Sequence, residues 1–307
     1  MAQEMEKEQW ARRVPLARGE EARQQLAREG VLDPALKPRV EGDELLIPVT
    51  AEEAGAERAR FVPREDRSPL PRHELVGGIA IMPDRDPSAA GELLRSRPSL
   101  HTVLFAVSEV EGEYRTRRFE VLAGEPTTRT TCTEYGNRLV IDLSLAYFSA
   151  RLSTERQRIA GQMEEDECVL DMFAGIGPFA IALAREAALV VAVDLNPRAV
   201  QLMEENIRLN RVRKVLPFLA DASHIGAVLP WKFDRIIMNH PFGSLSFLPE
   251  AFRLCRPGGM IHCYVLEESE GEALPEIRKF PAREVHERVV RSYAPGRWHA
   301  VYDIVVG

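Results

Sequence analysis

Four segments of this chain end in residues that could handle a polar ligand together. The apolar run Val169-Leu170 stops at Asp171 and passes through Phe173 into a turn carrying Gly175 and Gly177. Such a strand–turn–helix brings backbone N–H groups and a helix N-terminus against a polar group, and glycine lets that group approach the main chain. About 20 residues on, Leu189–Val193 ends in Asp194, the spacing of a βαβ unit whose second acid holds a ribose diol. Val215–Leu219 leads to Asp221, an acid suited to an adenine amino group. Phe233–Met238 ends in Asn239-His-Pro-Phe242, where an asparagine carbonyl and a following backbone carbonyl can accept N–H groups of a planar base, and Pro241 stiffens the turn. His240 is expected to point outward and is given no role. One glycine turn alone is weak, because many α/β turns need glycine for steric reasons. Four strand ends in series make a ligand-free domain a poor explanation.

The elements that position these residues follow from periodicity. From Met163 to Gly307, apolar strands alternate with helices, as a mainly parallel sheet with helices on both faces requires. Asn196-Pro197 caps the helix after Asp194, with Pro197 in its first turn. Trp298–Val306 has the alternation of a closing strand. Upstream, 78–82, 101–107, 117–122 and 137–143 read as strands of one sheet, with a helix over 87–97. Residues 3–30 carry apolar positions at helical spacing and stop at Gly30, and Glu44–Val49 is a strand. The Ala/Glu/Arg/Pro-rich stretch 50–73 reads as a linker. The expected fold class is α/β: a Rossmann-like domain over 161–307, preceded by small α/β modules at 1–70 and 71–160.

Composition narrows the function classes. At 307 residues the chain can bury ample core, and no apolar run reaches the length of a membrane span. Four scattered cysteines, without metal-ligand spacing, read as reduced thiols of a cytoplasmic protein, and no metal site is expected. The net charge of -7 excludes a globally basic nucleic-acid binder, yet local stripes remain at Arg115, Arg117 and Arg118 and from Arg278 to Arg297.

Asp-x-Phe-x-Gly-x-Gly, lacking the third glycine of the dinucleotide fingerprint, resembles motif I of the S-adenosylmethionine-dependent methyltransferases. Asn239-His-Pro-Phe242 resembles the Asn-Pro-Pro-Tyr/Phe turn of enzymes that methylate planar nitrogens. A further constellation, Tyr147-Phe-Ser-Ala-Arg-Leu-Ser-Thr-Glu-Arg156, reads by itself as a helix start, with Ser153 as N-cap and Glu155 as a first-turn acid. Taken with Met-Asn-x-Pro, Arg-Pro-Gly-Gly-Met-Ile-His and Ser-Tyr-Ala-Pro, these motifs are similar to the archaeal/eukaryotic tRNA (guanine-37 N1)-methyltransferase family, over nearly the whole chain.

The resemblance implies S-adenosylmethionine as cofactor, bound through Tyr147, Arg156, Asp171, Phe173, Gly175, Gly177, Asp194, Leu195, Asp221, Ala222 and Asn239. It implies Glu155 as general base, Arg115 as the partner of charge on guanine O6, and Arg115, Asn239 and Pro241 at the target base. The implied partner is tRNA at G37 of the anticodon loop, the implied state a monomer. Residues 1–70 would help check tRNA shape and 71–160 would link to the catalytic domain. The chain departs from the family pattern at Ala150, at His240 and at Cys132-Thr133 before Glu134. Rival readings are aminocarboxypropyl transfer or dual methylation in wyosine-type synthesis at the same tRNA position, and methylation of an exocyclic amine on DNA or protein. A non-catalytic RNA-binding module is the remaining rival.

Overall fold

The computed structural model describes residues 6–52, 55–63 and 70–307. Backbone contacts divide the chain into two units, residues 1–70 and 71–307.

In the first unit an antiparallel sheet runs in the order Arg39–Glu41, Glu44–Val49, Lys7–Pro15, Ala56–Phe61, with one helix at Gly19–Arg28. Two expectations fail here. Residues 7–15 form a central strand, not the start of a helix. Trp10 and Val14 lie four apart, a spacing that suits both a helical turn and a two-residue alternation, and pairing on both sides decides between them. Arg13 shows the gain: its guanidinium is held by Glu57 at 2.7 Å, Glu44 at 3.0 Å and Glu41 at 3.0 Å from the other three strands. The stretch expected as a linker also contributes a strand, Ala56–Phe61. Only Ala59 and Phe61 of that strand face the core, too few to register as a pattern.

The second unit begins with a four-stranded sheet, Glu74–Val76, Ile79–Met82, Thr102–Ala106, Phe119–Gly124. Its one parallel pair is joined by the helix Pro87–Ser96, capped where the Asp86 carboxylate accepts the Ala89 amide at 3.0 Å. The strand Asn137–Asp142 does not continue that sheet as the alternation suggests. It pairs only with Arg129–Glu134, as a separate hairpin. The reason lies in the helix Pro197–Leu209, where buried Asn206 takes the place of a neighbouring strand. Its carboxamide accepts the Val140 amide at 2.7 Å and donates to the Val140 carbonyl at 3.0 Å and the Ile176 carbonyl at 3.0 Å. Asn210 repeats the device on Arg138.

The large sheet has seven strands, in the order Val215–Leu219, Leu189–Asp194, Cys168–Asp171, Phe233–Met238, Cys255–Glu267, Arg297–Val306, Ala282–Ala294. The first five are parallel to one another, and the last two return antiparallel. Apolar side chains of alternate residues fill both faces: Leu170, Val191 and Ile236 on one, Val169, Val190 and Ile237 on the other. A strand covered on both faces reads as a continuous apolar run, which is why these strands stand out in the sequence. Among the described residues, no helix is long and apolar enough to cross a membrane.

Candidate active site

Every parallel strand of the large sheet ends on the same edge, so the four strand-end motifs converge there as open α/β sheets require. A cavity of about 770 Å³ opens on that edge, lined only by residues of the second unit. Tyr147, Arg156, Phe173, Gly175, Asp194, Leu195, Asp221, Ala222, Asn239, Pro241 and Arg115 all line it. Asp171, Gly177 and Glu155 do not.

On one side the acids are held ready by backbone. Asp194 accepts the amide of Gly175 at 2.7 Å and that of Asn196 at 2.8 Å, one on each oxygen. Burial pushes its carboxyl up, against those amides. Asp221 is more exposed and is pulled down by the hydroxyl and amide of Ser223, at 2.7 and 2.8 Å. Each carboxylate keeps lone pairs for a further donor, as a diol or an adenine amino group would supply. Gly175 has φ +56°, and the space beside it is open enough that its main chain can meet a ligand. Gly177 serves packing instead: a Cβ there would sit 2.8 Å from Met203. Asp171 lies below the turn, fully buried, with neither oxygen in a well-formed hydrogen bond. Burial first, and Asp194 next, push it up to about 7.

The opposite wall is built around Arg115. A tight turn, closed where its amide donates to the Gly112 carbonyl at 3.1 Å, puts Arg115 at φ +54°. That left-handed backbone costs a non-glycine residue about 1 kcal/mol. The guanidinium lies 4.1 Å from the Phe242 ring and 5.4 Å from that of Tyr147, and burial lowers its pKa. Residues far apart in sequence, Arg115, Tyr147 and the Asn239 turn, are thus brought to one place. In that turn two backbone carbonyls are already used. The His240 carbonyl accepts the amides of Gly243 and Ser244 and the Ser244 hydroxyl, and the Pro241 carbonyl accepts the Leu266 amide. Among the described residues the Asn239 side chain has no partner, which leaves its carboxamide as the group able to take a hydrogen bond. His240 does not point outward: its ring packs 4.9 Å from Phe173, and burial, then Arg115, lower its pKa.

Arg156 is buried, bidentate to Glu134 at 2.6 and 2.8 Å, and also donates to the Ser149 carbonyl at 3.2 Å. Ser153 is not the N-cap. Residues 150–152 form a 3-10 turn running straight into the helix Ser153–Ala160, so Ser153 already has helical angles and Leu152 takes the cap position. Glu155 therefore sits on the buried side of that helix, 2% exposed. Its carboxylate accepts from Arg158 at 2.7 Å, Arg288 at 3.0 Å and the Tyr264 hydroxyl at 2.9 Å.

Sequence reasoning missed Phe242 as a partner of Arg115 and His299 altogether, and it gave no site role to Arg291, within the Arg278 to Arg297 stripe, or to Tyr293, within Ser-Tyr-Ala-Pro. His299, Arg291 and Tyr293 all line the cavity. They come from the two antiparallel strands, whose return to the ligand edge is set by pairing and by no local pattern.

The cradle fits S-adenosylmethionine in its own terms: paired strand-end acids, a glycine turn, aromatic Phe173 and an open volume of nucleoside size. A family model described as "TRM5/TYW2 methyltransferase domain" matches residues 130–290, and one described as "tRNA methyltransferase 5 N-terminal domain" matches residues 13–57. The chain is 39% identical to the tRNA (guanine(37)-N(1))-methyltransferase Trm5b of Pyrococcus abyssi, over 96% of its own length and 98% of that protein's. It is 32% identical to the tRNA(Phe) (4-demethylwyosine(37)-C(7)) aminocarboxypropyltransferase of Methanocaldococcus jannaschii, over 76% of this chain and 96% of the relative. Its fold superposes with a TM-score of 0.74 on aTrm5 from a complex with tRNALeu, at 29% identity, covering 97% of this chain and 99% of the other. The chain belongs to the TRM5/TYW2 family of methyltransferases.

Proposed function

We propose that this protein transfers a methyl group from S-adenosylmethionine to N1 of guanosine 37 in tRNA. The observation that carries the reading is the pairing of two uncommitted groups across one cavity wall. Among the described residues, the Arg115 guanidinium meets aromatic rings and forms no hydrogen bond, and the Asn239 carboxamide has no internal partner. Guanine loses its N1 proton before that nitrogen can attack, and the electrons spread onto O6. A guanidinium opposite O6 favours that charge, and a carboxamide with open hydrogen-bonding capacity aligns the ring. Tyr147 and Phe242 flank Arg115 and offer faces on which a base withdrawn from its stack can rest.

When bound, the cofactor supplies an already activated sulfonium methyl. Asp194, Asp221, the Gly175 turn and Leu195 would hold its adenosine part, with Phe173 beside it. The protein then contributes alignment and proton removal. Glu155 is the proposed acceptor of the N1 proton. For that, its contact with Arg288, the most exposed of its partners, must open, while Arg158 stays anchored on Asp303 at 2.6 Å. In this reading residues 1–70 check tRNA shape, 71–160 contribute Arg115 and link to the catalytic part, and the protein works as a cytoplasmic monomer.

The test is transfer of labelled methyl to an unmodified G37 transcript, with a G37→A transcript beside it and nucleoside mass spectrometry of the product. The expected product is 1-methylguanosine, absent from the control. An aminocarboxypropyl product, or methyl on the control, would overturn the reading. Removing residues 1–70 should weaken discrimination between intact and truncated tRNA more than it slows methylation of the intact substrate.

A further inference from the structure

The strands Cys255–Glu267, Arg297–Val306 and Ala282–Ala294 carry a row of side chains that the mechanism above does not use. Leu266 is the register partner of His299, and His299 that of Arg291. Directly opposed residues of antiparallel strands put their side chains on one face, and all three line the cavity. The row begins at the target-base turn, because the Leu266 amide donates to the Pro241 carbonyl at 3.2 Å. It is separated from Asp194, on the adenosine side, by two intervening strands.

His299 is the most buried of the three. It is 3% exposed, and its Nε2 is buried with no hydrogen-bond partner among the described residues. Such an atom destabilises a folded protein unless something binds to it. Burial first, and the Arg291 charge next, push the imidazole down to about 4, so it is neutral at physiological pH. A neutral imidazole has one N–H to donate and one nitrogen to accept. The ring lies 5.5 Å from that of Tyr264, whose hydroxyl donates to Glu155. His299 thus lines the same cavity as the Asn239 turn and packs on the tyrosine that holds the carboxylate proposed to take the N1 proton.

We propose that His299 is a further substrate-contacting residue, its Nε2 forming a hydrogen bond with the Watson–Crick edge of the target guanine inside the cavity. Guanine offers O6 as acceptor and N1–H and the 2-amino group as donors along that edge, so either imidazole tautomer has a complement. The bond forms only when the base is seated, which favours the aligned complex over other arrangements.

The proposal rests on the methyl-transfer reading, so the wild-type protein is assayed first. If it makes no 1-methylguanosine, that reading fails on its own account and this proposal with it. With an active wild type, His299→Leu should slow single-turnover methylation of the G37 transcript by about ten- to a hundredfold at saturating tRNA. Cofactor affinity by calorimetry should stay within about twofold, and the melting temperature should hold or rise, since an unpaired buried nitrogen has been removed. His299→Gln, which keeps a polar tip, should recover part of the rate. A folded His299→Leu protein with wild-type rate would overturn the proposal, as would a rate loss matched by equal loss of cofactor affinity. If that variant does not fold, His299→Phe keeps a ring without nitrogens, and wild-type rate in it would be equally damaging.

Discussion

Two polar clusters of the second unit differ in one respect, whether their hydrogen-bonding capacity is used up. In the cavity wall, among the described residues, the Arg115 guanidinium meets only rings, the Asn239 side chain meets no internal partner and the Nε2 of His299 is unpaired. Behind the same sheet, a second cluster is closed. Glu155 is held by Arg158, Arg288 and Tyr264. Arg158 reaches Asp303 at 2.6 Å, Asp303 accepts from His262 at 2.6 Å, and His262 meets Arg235 at 2.7 Å. Arg235 ends the chain on Glu167 at 2.6 and 2.8 Å. Burial pushes Asp303 up, but the hydrogen bonds from His262 and Arg158 outweigh it and hold the carboxyl well below its usual range. Buried polar groups with open capacity await a ligand, whereas a saturated network fixes geometry. Glu155 belongs by position to the second cluster and by proposed role to the first, so it is the residue on which the contrast turns.

The largest expected effect comes from Glu155→Gln. As the proton acceptor it should lose about 10²- to 10⁴-fold in single-turnover rate. The substitution also removes a charge that two arginines share, so thermal stability should fall. A lowered melting temperature with near-normal rate would assign Glu155 to the network alone and send the search for a base elsewhere. Next is Asn239→Ala. Loss of an aligned group at the developing charge should cost about 10²- to 10³-fold in rate, with cofactor affinity less affected. Because its side chain has no internal partner, the melting temperature should hardly move. A large drop there would mean that Asn239 supports the turn and does not meet a substrate.

The same contrast explains what could be read from the chain. Asp171, Asp194 and Asn239 each follow a buried apolar run, and Asp221 an apolar edge strand, so local pattern announces both the strand and the polar residue at its end. Arg115 was placed by family resemblance and not by spacing, since its position depends on a turn folding back on Tyr147 and Phe242. His299, Arg291 and Tyr293 reach the cavity through antiparallel register across three strands, a long-range property with no local signature. The misreading of 7–15 as a helix has the same origin. A strand between two partners gains its order from them, and its own Trp10/Val14 spacing fits either structure. Even the saturated state of Glu155 is invisible there, because Tyr264 and Arg288 approach it from more than a hundred residues away, as Asp303 approaches its partner Arg158.

The smallest expected effect concerns Asp171, which lies under the cavity floor yet is unsatisfied like the groups above it. Its pKa is raised in the folded state to about 7, from a usual carboxylate value of about 3.9 when unfolded. Between those values the native protein binds the proton and the unfolded chain does not. The stability this group contributes is therefore fully present below about pH 4 and is lost as pH rises through about 7. Asp171→Asn keeps the shape and cannot ionise, so it should match wild type near pH 4 and exceed it by a few kcal/mol at most at pH 8. Denaturant melts at several pH values would show the gap opening across that window. If the asparagine protein were instead the weaker at pH 8, the native carboxylate would be charged and held, with the amides of Phe173 and Ala180 as the nearest donors. Cofactor affinity then completes the assignment. Asp171 does not line the cavity, so unchanged affinity in the variant would make it a support of the glycine turn, and a clear loss would place it among the groups the cofactor reaches.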